Sequence, residues 1–138
     1  MGRVLALDYG TKRTGIAVTD ELQLIASGLT AVNTADLMDF LANYVETESV
    51  ETIVVGEPRQ RDGSHSDIEA EITPFVEKLK KRWPEIDIER FDERFTSKLA
   101  SRALIDAGVK KSKRRQKGMI DQMSATILLQ DYMKTKRD

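Results

Sequence analysis

The sequence predicts an α/β protein built on a mixed five-stranded sheet, and three observations carry that expectation. Val4-Leu5-Ala6-Leu7 and Thr52-Ile53-Val54-Val55 are short apolar runs bounded by turn residues, as expected of strands covered on both faces. The first three strand-like segments are joined by gaps too short for a crossover helix, so they form an antiparallel meander. Stretches with apolar residues at helical spacing precede the fourth and fifth strands, which therefore run parallel to their neighbours by the right-handed crossover rule. Placing the fourth strand beside the first gives the order 3-2-1-4-5.

The first strand ends on Asp8, and Tyr9-Gly10-Thr11-Lys12-Arg13-Thr14 turns into a second, Gly15-Ile16-Ala17-Val18-Thr19. Open α/β sheets bind ligands at the C-terminal ends of their strands, which makes Asp8 the first candidate for chemistry. Gly10 leaves the backbone bare beside that carboxylate. Thr11, Lys12 and Arg13 add hydroxyl, ammonium and guanidinium groups suited to phosphate oxygens. The plain alternative is an Asp that only bonds its own turn. A third strand follows over 28–32. Leu37, Phe40, Leu41, Tyr44 and Val45, after the cap candidates Asn33 and Thr34, then predict a helix over 35–48.

Gly56 ends the fourth strand, and 57–65 reads as a polar, mobile loop at the same end of the sheet as Asp8. Ser66-Asp67-Ile68-Glu69 fits a capping box, and Ile68, Ile72, Phe75, Val76 and Leu79 carry a helical face to about Arg82, with a kink expected at Pro74. A fifth strand over 86–91 has its acids on one face, which suits an edge, and Asp92-Glu93-Arg94 stands at its end. A third helix is expected from about Thr96 to Ala107. The charge-dense stretch 109–117, fenced by Gly108 and Gly118, reads as a flexible loop, and a last helix runs from about Met119 to Tyr132 with Asp121 in its first turn.

At 138 residues and 15.6 kDa the chain is expected to be a single domain over 1–138 with a real core. It has no cysteine, which excludes disulfides and thiolate metal sites, and its one histidine, His65, argues against a His-based zinc site or a Ser-His-Asp triad. Any metal would be held by oxygen ligands, favouring magnesium, manganese or calcium. No apolar stretch approaches a membrane span, and Met1-Gly2-Arg3 leads straight into a strand, so a cytoplasmic chain without a membrane partner is expected. The net charge of −1 conceals a segregation: 94–118 holds nine Lys or Arg against the single acid Asp106. Such a segment points to an anion-binding face, with Lys110, Lys111, Lys113, Arg114, Arg115 and Lys117 its densest part.

Three acids converge at element termini: Asp8 after the first strand, Glu93 after the fifth and Asp121 after the basic loop. Clustered carboxylates repel unless divalent cations neutralise them, and two magnesium ions about 3.5–4 Å apart could align an attacking water and stabilise the leaving oxygen of a phosphodiester. Taken singly, Glu93 could pair with Arg90 or Arg94, and Asp121 could serve its own helix dipole.

Four blocks in order resemble the YqgF family: 4–15 with its Asp-Tyr-Gly-Thr-Lys-Arg-Thr-Gly, Val54-Val55-Gly56-Glu57-Pro58 followed by Asp62-Gly63, Phe91-Asp92-Glu93-Arg94-Phe95-Thr96-Ser97, and Asp121-Gln122-Met123-Ser124-Ala125. These are ribonuclease H-like proteins similar to the RuvC Holliday junction resolvases and are usually described as pre-16S rRNA nucleases. The resemblance covers nearly the whole chain. It implies a ribonuclease H-like sheet with helices on both faces and a magnesium- or manganese-dependent nuclease whose catalytic and metal-binding acids are Asp8, Glu93 and Asp121. Its substrate would be structured RNA such as pre-16S rRNA, or branched DNA, with the chain a monomer or homodimer. Glu57 departs from the family, standing where many relatives have an apolar residue. It is either an extra metal ligand or, the favoured reading, a partner of Arg59 or Arg61.

Two readings compete. The Asp-x-Gly-Thr turn also resembles the phosphate-binding turn of actin-like and sugar kinases, although that fold needs two such domains around its nucleotide. A non-catalytic nucleic-acid-binding or transcription-associated factor would use the basic loop and keep the acids for structure.

Overall fold

The computed structural model describes residues 2–60, 62–93 and 113–137. Five strands, β1 (Arg3–Asp8), β2 (Arg13–Thr19), β3 (Ala26–Asn33), β4 (Val50–Glu57) and β5 (Asp87–Asp92), form one sheet in the order β3-β2-β1-β4-β5. β2 pairs antiparallel with both β1 and β3, whereas β4 runs parallel to both β1 and β5. This is the mixed sheet expected from the apolar runs and connection lengths. The described helices are α1 (Leu37–Thr47), preceded by a 3-10 turn over Thr34–Asp36, α2 (Glu69–Arg82) and α3 (Lys113–Arg137). None of them is long and apolar enough to cross a membrane.

Strand alternation sorts the interior into two layers. Leu5, Leu7, Ile16, Ile53 and Val55 point to one face, where Leu37 and Leu41 of α1 and Ile72, Phe75 and Leu79 of α2 cover them. Val4, Ala6, Ala17 and Val54 point to the other, against Ala125, Leu128, Leu129 and Tyr132 of α3. The second layer is lined by smaller side chains, so α3 lies close to the sheet. At Gly15 a side chain would collide with the backbone carbonyl of Asp121.

Several local expectations give way to stronger interactions. No capping box forms at Ser66–Glu69: α2 starts at Glu69 after Ile68, and the Glu69 carboxylate instead takes two hydrogen bonds from Arg90, 2.8 Å from Nη1 and 2.7 Å from Nη2. A charged fork of this kind outbids a single cap N–H. Likewise Asn33 does not cap α1, and the Thr34 hydroxyl donates to the Gly10 carbonyl at 2.6 Å. The segment after β4 is hairpin-like, not a formless loop: Arg59 bridges to His65, Gln60 N–H donates to Ser64 O at 2.8 Å, and Gly63 supplies a left-handed φ of 91°.

The largest correction concerns the basic segment. α3 is described from Lys113 on and continues through Gly118, so 113–118 is helix and not a flexible loop, and Asp121 lies at least two turns into it instead of in its first turn. Lys, Arg and Gln are good helix formers, and one interior glycine costs only about 1 kcal/mol, less than the packed C-terminal half of α3 returns. The helix expected over 96–107, together with Lys110 and Lys111, lies outside the described residues.

Candidate active site

Alternation also decides which side chains meet at the C-terminal edge of β1 and β4. Asp8 continues the Val4 and Ala6 side of β1, and Gly56 continues the Val54 side of β4, so both face α3. Phe91 of β5 packs in the same layer, and Glu93, two residues on, comes over Gly56, where a Cβ would lie only 2.9 Å from its Cδ. On the far side of Asp8, Gly15 is its cross-strand partner, and over that bare position α3 delivers Asp121. Two glycines thus clear the space for two of the three acids.

Glu93 and Asp8 are hydrogen-bonded to each other and half-buried. Burial, then the negative charge of Asp8, then its own hydrogen bond to Asp8 push the Glu93 carboxyl up to about 8. Asp8 is raised as well, first by burial, with the nearby Asp121 charge adding to the shift. The pair therefore holds a proton, which Glu93 donates to the Asp8 carboxylate. Asp121 is neutralised differently: Arg13 Nε donates to its Oδ2 at 2.9 Å. Arg13 begins β2 on the α3 side of the sheet and so stands inside the acid cluster.

The other predicted phosphate-binding residues of the turn spread out. Thr11 donates to Glu71 of α2 at 3.3 Å, and Lys12 is exposed while its carbonyl accepts the Thr34 N–H at 2.9 Å. The turn itself is anchored by Thr14 and Thr34, whose hydroxyls lie 2.9 Å apart, and Gly10 is required because a Cβ there would strike the Arg13 carbonyl. Lys113, Arg114, Arg115 and Lys117 fall on the first turns of α3, upstream of Asp121 on the same helix.

Glu57 sits on the opposite face, in step with Val55, and pairs with Arg59 at 3.0 Å. His65 Nε2 is 3.6 Å from its other oxygen. Glu57, His65 and Glu69 are the described residues whose ligand atoms all lie within 4.8 Å of one another. Arg59 and Arg90 already supply positive charge there, and Arg90 also donates to the carbonyls of Val55 and Gly56, fastening the ends of β4 and β5 together. Arg90 is hydrogen-bonded to Glu69, whose carboxyl it holds below the usual range. Sequence reasoning missed this Glu69–Arg90 clasp, since the same Glu fitted a capping box.

Asp8, Glu93 and Asp121 offer only oxygen donors, and the half-buried pair cannot ionise fully without a compensating cation. The donor set fits a hard divalent ion.

The profile of the RuvX family, described as Holliday junction resolvase, matches residues 2–135. The chain belongs to the RuvX family. Among curated relatives, a "Putative pre-16S rRNA nuclease" of Bacteroides fragilis is 53% identical over 137 residues, covering 99% of each chain. Another of that name from Christiangramia forsetii is 54% identical over 133 residues, covering 96% of this chain and 98% of the relative. Among solved structures, the fowlpox virus resolvase in complex with substrate Holliday junction DNA superposes with a TM-score of 0.62 at 10% identity, covering 99% of each chain. Thermus thermophilus RuvC in complex with a Holliday junction substrate gives 0.56 at 13% identity, covering 99% and 97%. At these identities the likeness is one of fold alone: the sheet and helices of this chain are arranged as in those two resolvases.

Proposed function

We propose that this RuvX-family chain, as one nuclease domain over 1–138, hydrolyses phosphodiester bonds with Asp8, Glu93 and Asp121 as the acids that hold magnesium or manganese. The observation that carries the reading is geometric: Glu93 is hydrogen-bonded to Asp8 over the bare Gly56, and Asp121, held by Arg13, is delivered beside Asp8 over the bare Gly15. When bound, the metal neutralises these carboxylates, polarises the phosphodiester and lowers the pKa of an attacking water. Glu93 and Asp8, whose mutual hydrogen bond favours a shared proton in the absence of a cation, would hold the ion as carboxylates, the proton passing to solvent. Asp121, held by Arg13, would be the third carboxylate to hold the ion, and the Arg13 guanidinium beside it would be near enough to meet a phosphate oxygen. The basic first turns of α3, with Lys110 and Lys111 before them, hold the backbone of the nucleic acid upstream of Asp121.

The substrate favoured is structured RNA at the 5′ end of pre-16S rRNA, a cytoplasmic step in ribosome assembly, because relatives more than 50% identical over almost the full chain carry that name. A four-way DNA junction is the second reading, favoured by the family description. Resolution cuts two symmetric strands and calls for a dimer, whereas RNA processing is open to a monomer. Incubation with magnesium or manganese and a panel of structured RNA, single-stranded RNA, duplex DNA and a four-way junction, with the oligomeric state measured alongside, separates the two. No metal-dependent cleavage of any member would leave the non-catalytic binding factor as the better reading.

A further inference from the structure

The end of the molecule opposite the acids carries a surface that the nuclease reading does not use. In the β2–β3 connection, Leu22, Leu24 and Ile25 are 58%, 60% and 67% exposed, three large apolar side chains within four residues. They are held outward by a fixed backbone. The Asp20 carboxylate accepts the N–H groups of Leu22, Leu24 and Ile25 at 3.2, 2.8 and 2.8 Å, and Gln23 takes a left-handed φ of 58° while its amide donates to the Gly2 carbonyl at 2.8 Å. A ridge of this kind, rimmed by polar groups, marks a contact surface more often than chance exposure does.

Grooves flank the ridge on both sides. Leu24 and Ile25 border one of about 420 Å³, floored by Ala26 and Met133. Leu22 and Gln23 border the other, of about 450 Å³, which runs along the N-terminal ends of β1, β4 and β5 and contains Glu51, Asp87 and Glu89 beside Tyr132. The charge of all three acids reaches the Tyr132 hydroxyl, which donates to Glu89. The chain's own Lys136 shows what this groove accepts: its ammonium lies 3.5 Å from a Glu89 oxygen and 5.7 Å from the centre of the Tyr132 ring. A carboxylate together with an aromatic face is a receptor for an amine.

We propose that this surface docks a lysine-bearing, amphipathic protein segment, its apolar side chains against Leu22, Leu24 and Ile25 and its cations in the Glu51–Asp87–Glu89 groove. Three carboxylates against one lysine repel nucleic acid, and a small polyamine would leave the apolar ridge uncovered. A basic polypeptide satisfies both halves. The nuclease site, at the other ends of the same strands, stays open while the partner is bound.

The test is an anisotropy titration of a fluorescein-labelled peptide of alternating lysine and leucine into the full chain, with the glutamate–leucine peptide as control. Leu24→Ser with Ile25→Ser, and separately Glu51→Lys with Asp87→Lys, should each weaken binding of the lysine peptide about tenfold or more, as expected of an apolar anchor and of complementary charge. All four positions are exposed, so melting curves and metal-dependent cleavage should match wild type. Equal binding by either pair of variants or by the glutamate peptide, or displacement of the peptide by spermidine at equal amine concentration, would overturn the proposal. So would a wild-type dimer that the apolar pair converts to monomer, since the ridge would then be covered by a second copy of this chain.

Discussion

Glycines and a shared proton, more than the acids themselves, define the site at the scale of single residues. Gly56 faces the Glu93 carboxyl, the end of a side chain that can swing, whereas Gly15 faces the Asp121 backbone, which moves only if α3 does. Gly56→Ala should therefore displace Glu93 and lower cleavage with little change in melting temperature. Gly15→Ala should lower both, with a stability loss of about 1–3 kcal/mol typical of overpacking, read by chemical denaturation. The trapped proton sets a pH dependence. Glu93 rises from an ordinary 4.5 to about 8 on folding, so the proton favours the folded state. That stabilisation is complete below about 4.5 and is lost as pH rises through about 8. Metal-free protein should melt lower at alkaline than at mildly acidic pH. Glu93→Gln should flatten that slope, while a slope unchanged in the variant would show that the pair is not its source.

Among elements, α3 departs most from what the sequence predicts. The sheet and its order were legible because apolar runs, connection lengths and turn residues all agreed. The start of α3 was not, because a dense charge run between two glycines looks the same whether it is a loop or a solvated helical turn. Gly56 and Gly15 could have been read in advance, since alternation puts Gly56 beside Val54 and pairs Gly15 with Asp8 once the register is known. The Glu69–Arg90 clasp could not, because it depends on where α2 crosses β5. The corrected helix has consequences. Among the described residues, nothing beyond Gly118's own stretch of helix lies within 4 Å of where a Cβ on it would stand, so Gly118→Ala should stabilise the protein by about 0.5–1 kcal/mol in a denaturant titration. Changing Lys113, Arg114 and Arg115 to Ala preserves helix propensity, so weaker binding in that variant would not reflect lost helix. If these side chains contact phosphates, the slope of log affinity against log salt should flatten by roughly 0.7–0.9 for each contact removed. An unchanged slope in a fluorescence-anisotropy titration with structured RNA would remove them from the interface.

Seen whole, the molecule is polarised along its strands. The C-terminal edges gather Asp8, Glu93, Asp121 and Arg13 on the α3 side, and the N-terminal edges carry the acidic groove and the apolar ridge. Small side chains on one face let α3 approach, and large ones on the other anchor α1 and α2. The same asymmetry that builds two unequal cores brings Asp121 to Asp8. Divalent metal should compete with the proton held by Glu93, so its affinity should increase with pH up to about 8, which calorimetric titration of manganese can follow. The claim on which the account rests is that the three acids together hold the metal that cleaves. Its most direct measurement is the cleavage rate of a structured pre-16S RNA substrate by wild type, Asp8→Asn, Glu93→Gln and Asp121→Asn, in magnesium and in chelator, alongside manganese affinity and melting temperature. The account predicts cleavage only by wild type and only with metal. Each variant should lose about a hundredfold or more in rate, bind manganese more weakly and melt no lower than wild type. A variant that still cleaves at the wild-type rate in magnesium would contradict it.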